Sequence, residues 1–492
     1  MKPVYFDSQI PEKIAKEEFC FPEGIMMENA ASSLQNAITD FSKELKPCVL
    51  IVCGSGNNGG DGIALARRIF GKFEVYVFCV KNPKTPEALV QLKMAKNLNV
   101  PFLSESEFNS ILEEKKVNII VDCLFGTGFS GYPDEKSSEI LLKVNSYDCI
   151  KIACDIPSGI NKNGSVYKNS KNELLVFNAD LTITMGALKT ALFSDSAKEF
   201  CGKIICAELG ISESIFNSLE KPSAFLLESS DINLPIRKSK SSHKGTFGHA
   251  YVIPGEKPGA GLIAATSALE FGCGLSTVCD KFSDFSKIKI PMDLMYSSEI
   301  PNNVSAILLG SGFGRNQQNI DAAWDFIKQF SCNNKCSFVF DADIFYYEKL
   351  PLLLEELKNH QVILTPHPKE LFYLLKLYDI KVDSVEEVIQ NRFEFCKLFS
   401  EKNPNCVLVS KGAITYICHQ NQISICDVGS VALAKAGSGD VLAGMCLSLL
   451  AQGYDCVKAA QTAVYAHGIA ASKCETNYSL TPSILIDQIS SL

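Results

Sequence analysis

The sequence predicts two different α/β domains in series, the first built on a parallel sheet covered by helices on both faces. Three observations predict it. At 492 residues the chain is too long for one ordinary core. Short, continuously apolar runs alternate with helix-like segments along both halves, the pattern of parallel strands buried on two faces. Between the halves, from about 212 to 246, the alternation lapses into polar text ending in the basic, serine-rich run RKSKSSHK, which reads as a solvated linker. The expected division is a first domain at 1–215, a linker at 216–235 and a second domain at 236–492.

Residues 1–45 read as mainly helical, with GIMMENAASSL carrying apolar positions at helical spacing. The strands of the first half follow as CVLIVC, FEVYVFCV, NIIVDCLF, CIKIACD, LTITM and KIICAEL, which give a three-layer αβα, Rossmann-like domain. The second half begins a new alternation: HAYVIP, the alanine-rich helix AGLIAATSALEFG, LSTVC, SAILLG, SFVFDAD, QVILT and CVLVSK, then helices from about 438 and 455. No repeat relates the halves, so two different α/β domains are expected.

A hydrophobic fraction of 46% with 21% charged residues is that of a globular protein with a packed core. The net charge of −8 gives no general attraction to nucleic acid or to anionic membranes. The N-terminus has no apolar signal region and no apolar run is long enough to span a bilayer, so a cytoplasmic protein is expected. None of the 20 cysteines is spaced CxxC; Cys332 and Cys336, the closest pair, lack the second pair that zinc needs. Most sit in strand-like runs and read as buried thiols of a reducing compartment.

The stretch GSGNNGGDG at 54–62, after one apolar strand and before a helix, satisfies the GxGxxG dinucleotide fingerprint through Gly54, Gly56 and Gly59. A cofactor fold, however, ends its second strand in an acid that holds the ribose, and here that strand runs into Lys81 and Asn82. Asn57, Asn58 and Asp61 also add side-chain oxygens that a cofactor loop does not need. Other strand ends carry Asp122, Asp155 and Ser158. In a parallel sheet the carboxyl ends share one edge, so these groups converge on one crevice with the glycine loop. Taken singly, Asp122 or Asp155 fits a helix or turn cap; three such ends together point to a site. Asn58, Asp122 and Ser158 form an oxygen donor set for a hard cation, which leaves Asp155 for proton transfer or substrate contact.

NNGGDG with VDCLFGTGFSG and DIPSG resembles the epimerase module of the bifunctional NAD(P)H-hydrate repair enzymes, over roughly residues 1–215. The resemblance implies that Asn57, Asn58, Gly59, Gly60 and Asp61, with Gly126, Thr127, Gly128, Phe129, Ser130, Gly131 and Tyr132, bind a hydrated dinucleotide that Asp155 also contacts. It also implies potassium on Asn58, Asp122 and Ser158. The same module occurs in scaffolding and lipoprotein-binding proteins, so fold alone does not make an enzyme.

In the second half, AKAGSGDVLAG at 434–444 leads a glycine turn into a helix start that aims backbone N–H groups at an anion, with Asp440 on the first turn. Asp440 is then either a base that deprotonates an attacking hydroxyl or an ordinary N-terminal helix acid. No GxxxxGK[ST] loop competes for phosphate. GSGD followed by VLAG resembles the anion hole and base of the ribokinase-like superfamily. Within it, SHKGTFGHAYVIPG, LLGSGFGR, FDAD, LTPHPKEL and SKGAIT resemble the ADP-dependent NAD(P)H-hydrate dehydratase, over about 240–492. The resemblance implies a ribokinase-like second domain in which Ala260, Gly312 and His367 contact the hydrate. Lys411, Gly412, Ala413, Ile414, Thr415 and Gly439 hold the adenine nucleotide, with Mg2+ accompanying ADP as phosphoryl donor, and Asp440 is the base. Ser311 replaces the family's usual proline, Ile344–Tyr346 its usual Ala-Leu-Asn, and Lys369 its usual glycine. His367, beside two prolines, fits a turn residue as well as a site residue; His243 and His467 read as structural and Trp324 as core.

Both resemblances imply one repair enzyme for hydrated NADH and NADPH, an epimerase joined to an ADP-dependent dehydratase that releases AMP and phosphate, and a homo-oligomer is expected. The rival reading is an ATP-dependent ribokinase-like kinase of a vitamin precursor, with the first domain regulatory.

Overall fold

The computed structural model describes residues 1–7, 9–41, 46–114, 117–332 and 334–492. The chain divides into two compact units, Lys2–Ala224 and Phe225–Leu492, the latter joined by Met1. The segment expected as linker thus carries structure of its own, including the strand Ala224–Leu226.

In the N-terminal unit the strands are β1 (Lys2–Tyr5), β2 (Cys48–Cys53), β3 (Glu74–Cys79), β4 (Ile119–Cys123), β5 (Ile150–Cys154), β6 (Leu181–Met185), β7 (Leu188–Lys189) and β8 (Lys203–Ala207). Six of them form a parallel sheet in the order β3-β2-β4-β5-β6-β8. The order reverses between β2 and β4, the switch point where such sheets open a crevice beyond their carboxyl ends. The run CVLIVC shows why the strands read as unbroken apolar text. Val49, Ile51 and Cys53 enter one core with Leu34 and Ile63, while Cys48, Leu50 and Val52 enter another with Phe108 and Leu141. Each face is closed by helices, and every residue of β2 is buried. The first 45 residues contain the expected helices, Gln9–Glu18 and Glu23–Phe41. They also contain β1, which pairs with β7 and sets Tyr5 opposite Lys189.

The C-terminal unit contains β9 (Ala224–Leu226), β10 (His249–Ile253), β11 (Leu275–Cys279), β12 (Met295–Ser297), β13 (Ala306–Leu309), β14 (Ser337–Phe340), β15 (Val362–Leu364), β16 (Cys406–Ser410), β17 (Thr415–His419) and β18 (Gln422–Cys426). Their order is β12-β11-β10-β13-β14-β15-β16-β17-β18-β9, parallel from β12 to β16 and antiparallel through β17 and β18. The helix Ser438–Ala451 is buried continuously from Val441 onward and packs against the helix Pro258–Glu270. Gly444 permits their approach, since a Cβ there would lie 2.2 Å from the Ala264 carbonyl oxygen. Ser267 donates to the Val441 carbonyl at 2.8 Å, a bond that ties the two helices together. Among the described residues no helix is long and apolar enough to cross a membrane.

Candidate active sites

At the switch point of the N-terminal sheet lies a cavity of about 890 Å3. The three glycines of the fingerprint divide their duties around it. A Cβ on Gly54 would strike the Leu124 carbonyl at 1.9 Å, and one on Gly59 the Gly54 carbonyl at 2.1 Å, so both serve close backbone packing. Gly56 has nothing within 4 Å and caps the helix Asn57–Ile69 with open space before it. Asn57, Asn58 and Asp61 line the cavity, as do Gly126, Thr127, Gly128 and Phe129. Gly59 and Gly60 are buried behind them. Ser130, Gly131 and Tyr132 are not among the lining residues; Tyr132 packs edge-on against Tyr167 and donates to the Lys168 carbonyl.

Of the three strand-end residues expected in this crevice, Asp155 lines the cavity, whereas Asp122 and Ser158 are not among its lining residues and bond each other. Asp122 is buried and accepts from the Ser158 N–H at 2.8 Å, the Ser158 hydroxyl at 2.7 Å and the Leu124 N–H at 3.1 Å. Burial pushes its carboxyl up to about 6 against these donors. Asn58 has both its carboxamide atoms buried without a partner. An orphaned carboxamide oxygen beside this oxygen-rich pocket fits a hard cation of low charge.

Asp155 stands in the left-handed region at φ 72°, unusual for a residue with a Cβ. Its Oδ2 accepts from the Thr127 N–H at 2.8 Å and hydroxyl at 2.6 Å, and its Oδ1 pairs with Lys189 Nζ at 2.8 Å. Burial alone would raise its proton affinity; Lys189 and Thr127 outweigh that and hold it below the ordinary range. Lys189 is itself 2% exposed and donates to Thr184 Oγ1 and the Met185 carbonyl. The sequence reading missed Lys189, which sits in a two-residue strand without a periodic signal. It also missed Glu12, which lines the same cavity from the helix Gln9–Glu18.

In the C-terminal unit, Gly437 at φ 91° caps the Ser438–Ala451 helix in a conformation that glycine adopts without strain. Asp440 occupies the first turn. Lys411 Nζ lies 3.4 Å from where a Cβ on Gly439 would be, so its ammonium sits at the helix start. It is held there by Asp341, at 2.8 Å, and more loosely by Glu370, at 3.9 Å. Asp341 ends β14 and also accepts from the hydroxyls of Thr365 at 2.6 Å and Ser311 at 3.3 Å. Burial pushes Asp440 up to about 7, with Asp341 adding to the rise and the Ser311 hydroxyl opposing it. Ser311, read above as a departure from the resembled family's usual proline, is therefore a hydroxyl donor within the acid cluster.

His367 acts as the cap of the helix Pro368–Leu377, its Nδ1 accepting from the N–H groups of Lys369 and Glu370. Next to it, Lys411 N donates to the Pro366 carbonyl at 2.9 Å, so the cap borders the Lys411 site. Gly412 and Ala413 are exposed, Thr415 opens β17, and Ile414 is buried. Arg392, missed from sequence, braces this loop from inside by donating to the Ser410 and Lys411 carbonyls at 2.9 and 3.0 Å and to that of Ile414. Ala260 and Gly312 meet, a Cβ on Gly312 falling 2.9 Å from that of Ala260. Beside them Lys257, Arg315 and Asp343 line a pocket of about 400 Å3. His467 is buried against the Ser438 carbonyl at 3.0 Å, and burial lowers it to about 4, a neutral prop for the helix start.

One unit offers an acid-lined crevice at the switch point of a doubly wound sheet, the other a basic residue and an acid at a glycine-capped helix start; together they define a two-module α/β enzyme. Residues 23–191 match the family model of the YjeF-related protein N-terminus and residues 250–491 that of NAD(P)H-hydrate dehydratase. The bifunctional NAD(P)H-hydrate repair enzyme Nnr of Helicobacter pylori is 42% identical over 496 residues, covering 100% of both chains. Its namesake in Coxiella burnetii is 30% identical over 86% of this chain and 85% of that one. A solved structure of the ADP/ATP-dependent NAD(P)H-hydrate dehydratase from Bacillus subtilis, co-crystallized with ATP/Mg2+, matches 52% of this chain and 92% of its own at 25% identity and a TM-score of 0.43. The chain belongs to the bifunctional NAD(P)H-hydrate repair enzyme family.

Proposed function

We propose that this protein repairs hydrated NADH and NADPH, the N-terminal unit interconverting the R and S hydrates and the C-terminal unit dehydrating the S hydrate at the expense of ADP. The observation that carries the reading is the meeting of Asp440, Lys411 and Asp341 at the glycine-capped start of the Ser438–Ala451 helix. A half-buried carboxyl near neutrality can take the proton of the hydrate's hydroxyl as its oxygen bonds to the β-phosphorus of ADP. The P–O bond to AMP breaks, and the charge that gathers on the phosphoryl oxygens meets the Lys411 ammonium and the free N–H groups of the helix. Phosphate then leaves with the loss of a ring proton, and the dihydropyridine reforms.

In this reading Lys411–Thr415 and Gly439 hold the nucleotide, whose phosphates bring Mg2+ with them, and Ala260, Gly312 and His367 meet the hydrate. The rival kinase reading shares this scaffold but requires ATP and a stable phosphorylated alcohol. In the N-terminal cavity Asn57–Asp61, Gly126–Tyr132 and Asp155 bind the hydrate. Asn58, Asp122 and Ser158 would hold potassium, which supplies a fixed positive charge beside the substrate. The orphaned carboxamide of Asn58 supports that ligand set. Activities divide between residues 1–215 and 236–492, and the protein works in the cytoplasm as a homo-oligomer, which light scattering checks.

The test is incubation of the pure protein with hydrated NADH and ADP, ATP or neither, with recovery of dihydronicotinamide absorbance as readout. Recovery with ADP is expected; no recovery with either nucleotide overturns the dehydratase assignment. Exchange of potassium for tetramethylammonium should slow epimerisation and leave dehydration unchanged.

A further inference from the structure

Six carboxylates line the N-terminal cavity: Asp7, Glu12, Glu17, Glu23, Asp61 and Asp155. Their partners separate them. Asp7 is paired with Lys162 at 2.5 Å, and Glu17 faces Lys13 at 3.8 Å on the exposed side of its helix. Both oxygens of Glu23 are used, by Lys16 Nζ at 2.6 Å and Asn57 Nδ2 at 2.5 Å. Both oxygens of Asp155 are used by Lys189 and Thr127. Asp61 has the Cys154 thiol at 3.9 Å, and burial raises its proton affinity well above the ordinary carboxylate range. Glu12 has no hydrogen-bond or ion-pair partner among the described residues, and it is half-buried at the cavity wall on a side chain long enough to move.

We propose that Glu12, rather than Asp155, is the proton carrier of the epimerisation, and that Asp155 and Lys189 are a fixed charge pair which positions the site. The inference rests on the epimerase reading above and names the residue that works it. As an acid, Glu12 gives its proton to the hydrate's hydroxyl oxygen. The carbon–oxygen bond breaks, water leaves with the bonding pair, and the ring nitrogen lends its lone pair to form an iminium. Water then adds to the opposite face of that carbon, its surplus proton returns to Glu12, and the nitrogen recovers its pair. The cycle consumes nothing, as an epimerisation requires.

Asp155 cannot serve in this way, because each of its oxygens already accepts from a positive or hydroxyl donor and its proton affinity is depressed. The groups facing Glu12 are Lys189, Asp155, Glu23 and Asp61 from other elements and Lys16 from its own helix. Burial pushes Glu12 up to about 7, Lys189 opposing and Asp155 and Glu23 adding, so it can give and take a proton near neutrality. Glu12 also lies outside residues 23–191, the stretch that the family model matches.

The experiment uses the full-length protein without ADP, with the R hydrate of NADH as substrate and initial epimerisation followed by chromatographic separation of the epimers. Glu12→Gln should lower kcat about 100-fold or more, leave KM within about 3-fold, and remove the pH limb near neutrality. Glu12→Asp should keep that limb at a reduced rate, which a merely structural role would not do. A Glu12→Gln enzyme that retains about half of wild-type kcat, or that changes only KM, overturns the proposal. If the wild-type protein itself fails to exceed the uncatalysed rate, the epimerase reading falls instead.

Discussion

Both units set a lysine against an aspartate at the end of a strand, at the same separation of 2.8 Å, and the two pairs are built for different work. In the N-terminal unit Lys189 is 2% exposed and spends its remaining donors on Thr184 and on backbone carbonyls. It is enclosed, and its charge acts through Asp155. In the C-terminal unit the Lys411 side chain is 19% exposed, lies at a helix start, and is shared between Asp341 and Glu370. A part-exposed ammonium at a helix start can, on the proposed reading, meet a phosphoryl group. An enclosed one can only fix the field around a proton transfer that other groups perform. The difference fits the proposed reading, with phosphate chemistry at one site and proton chemistry at the other.

The largest effect that tests this division is expected at Asp440. Asp440→Asn keeps the shape of the helix start but removes the base, so ADP-dependent dehydration should fall about 1,000-fold or more while epimerisation stays at the wild-type rate. Separate assays of the two reactions on one preparation decide it. Loss of both reactions in a folded protein would break the comparison, because it would mean that the two sites are not chemically separate.

The next contrast comes from removing each lysine. Lys189→Met removes an enclosed cation from Asp155, which keeps only the Thr127 N–H and hydroxyl, and is expected to destabilise the N-terminal unit by about 3–5 kcal/mol. Lys411→Met should cost less stability, since its side chain is 19% exposed, whereas Lys189 is 2% exposed and its loss also leaves Thr184 and two backbone carbonyls without their donor, yet lower dehydratase kcat about 100-fold. Urea unfolding and turnover of both variants give the four numbers. Equal stability losses would show that the enclosed and open pairs do not differ as their exposures suggest.

These contrasts also explain how far the sequence could be read. The long strands were legible because burial on both faces leaves nothing but apolar residues, as in CVLIVC. The short ones were not: KPVY, the pair Leu188–Lys189, AFL and MYS have two to four residues each, too few for any periodicity. The hairpin of β17 and β18 was missed for another reason. Its turn places Gln420 at φ 54°, where the usual signal is Asn-Gly or Asp-Gly. At the sites, aspartates at strand ends were visible because strand ends share one edge. Their partners were not, since Lys189 and Lys411 lie 34 and 70 positions from the acids they meet, and no local pattern links such pairs. Glu12 was hidden differently, as one charge among several on an amphipathic helix that reads as a solvated face.

The smallest effect expected is also the sharpest test of how the C-terminal acid is tuned. Burial and the neighbouring Asp341 raise Asp440 to about 7, and the Ser311 hydroxyl works against both by favouring the ionised carboxylate. A base must be unprotonated to act, so dehydratase kcat should rise with pH through about 7 and level off above it. Ser311→Ala takes away a donor to the ionised form, which raises the proton affinity of Asp440 and moves the rising limb to higher pH. A hydrogen bond worth about 0.5–1.5 kcal/mol corresponds to a shift of about 0.4–1 pH unit. The plateau rate should change little, because the base and the cation both remain. A limb that stayed in place, or moved to lower pH, would mean that the serine hydroxyl bonds Asp341 alone, and that the acid cluster tunes Asp440 through charge without a direct donor.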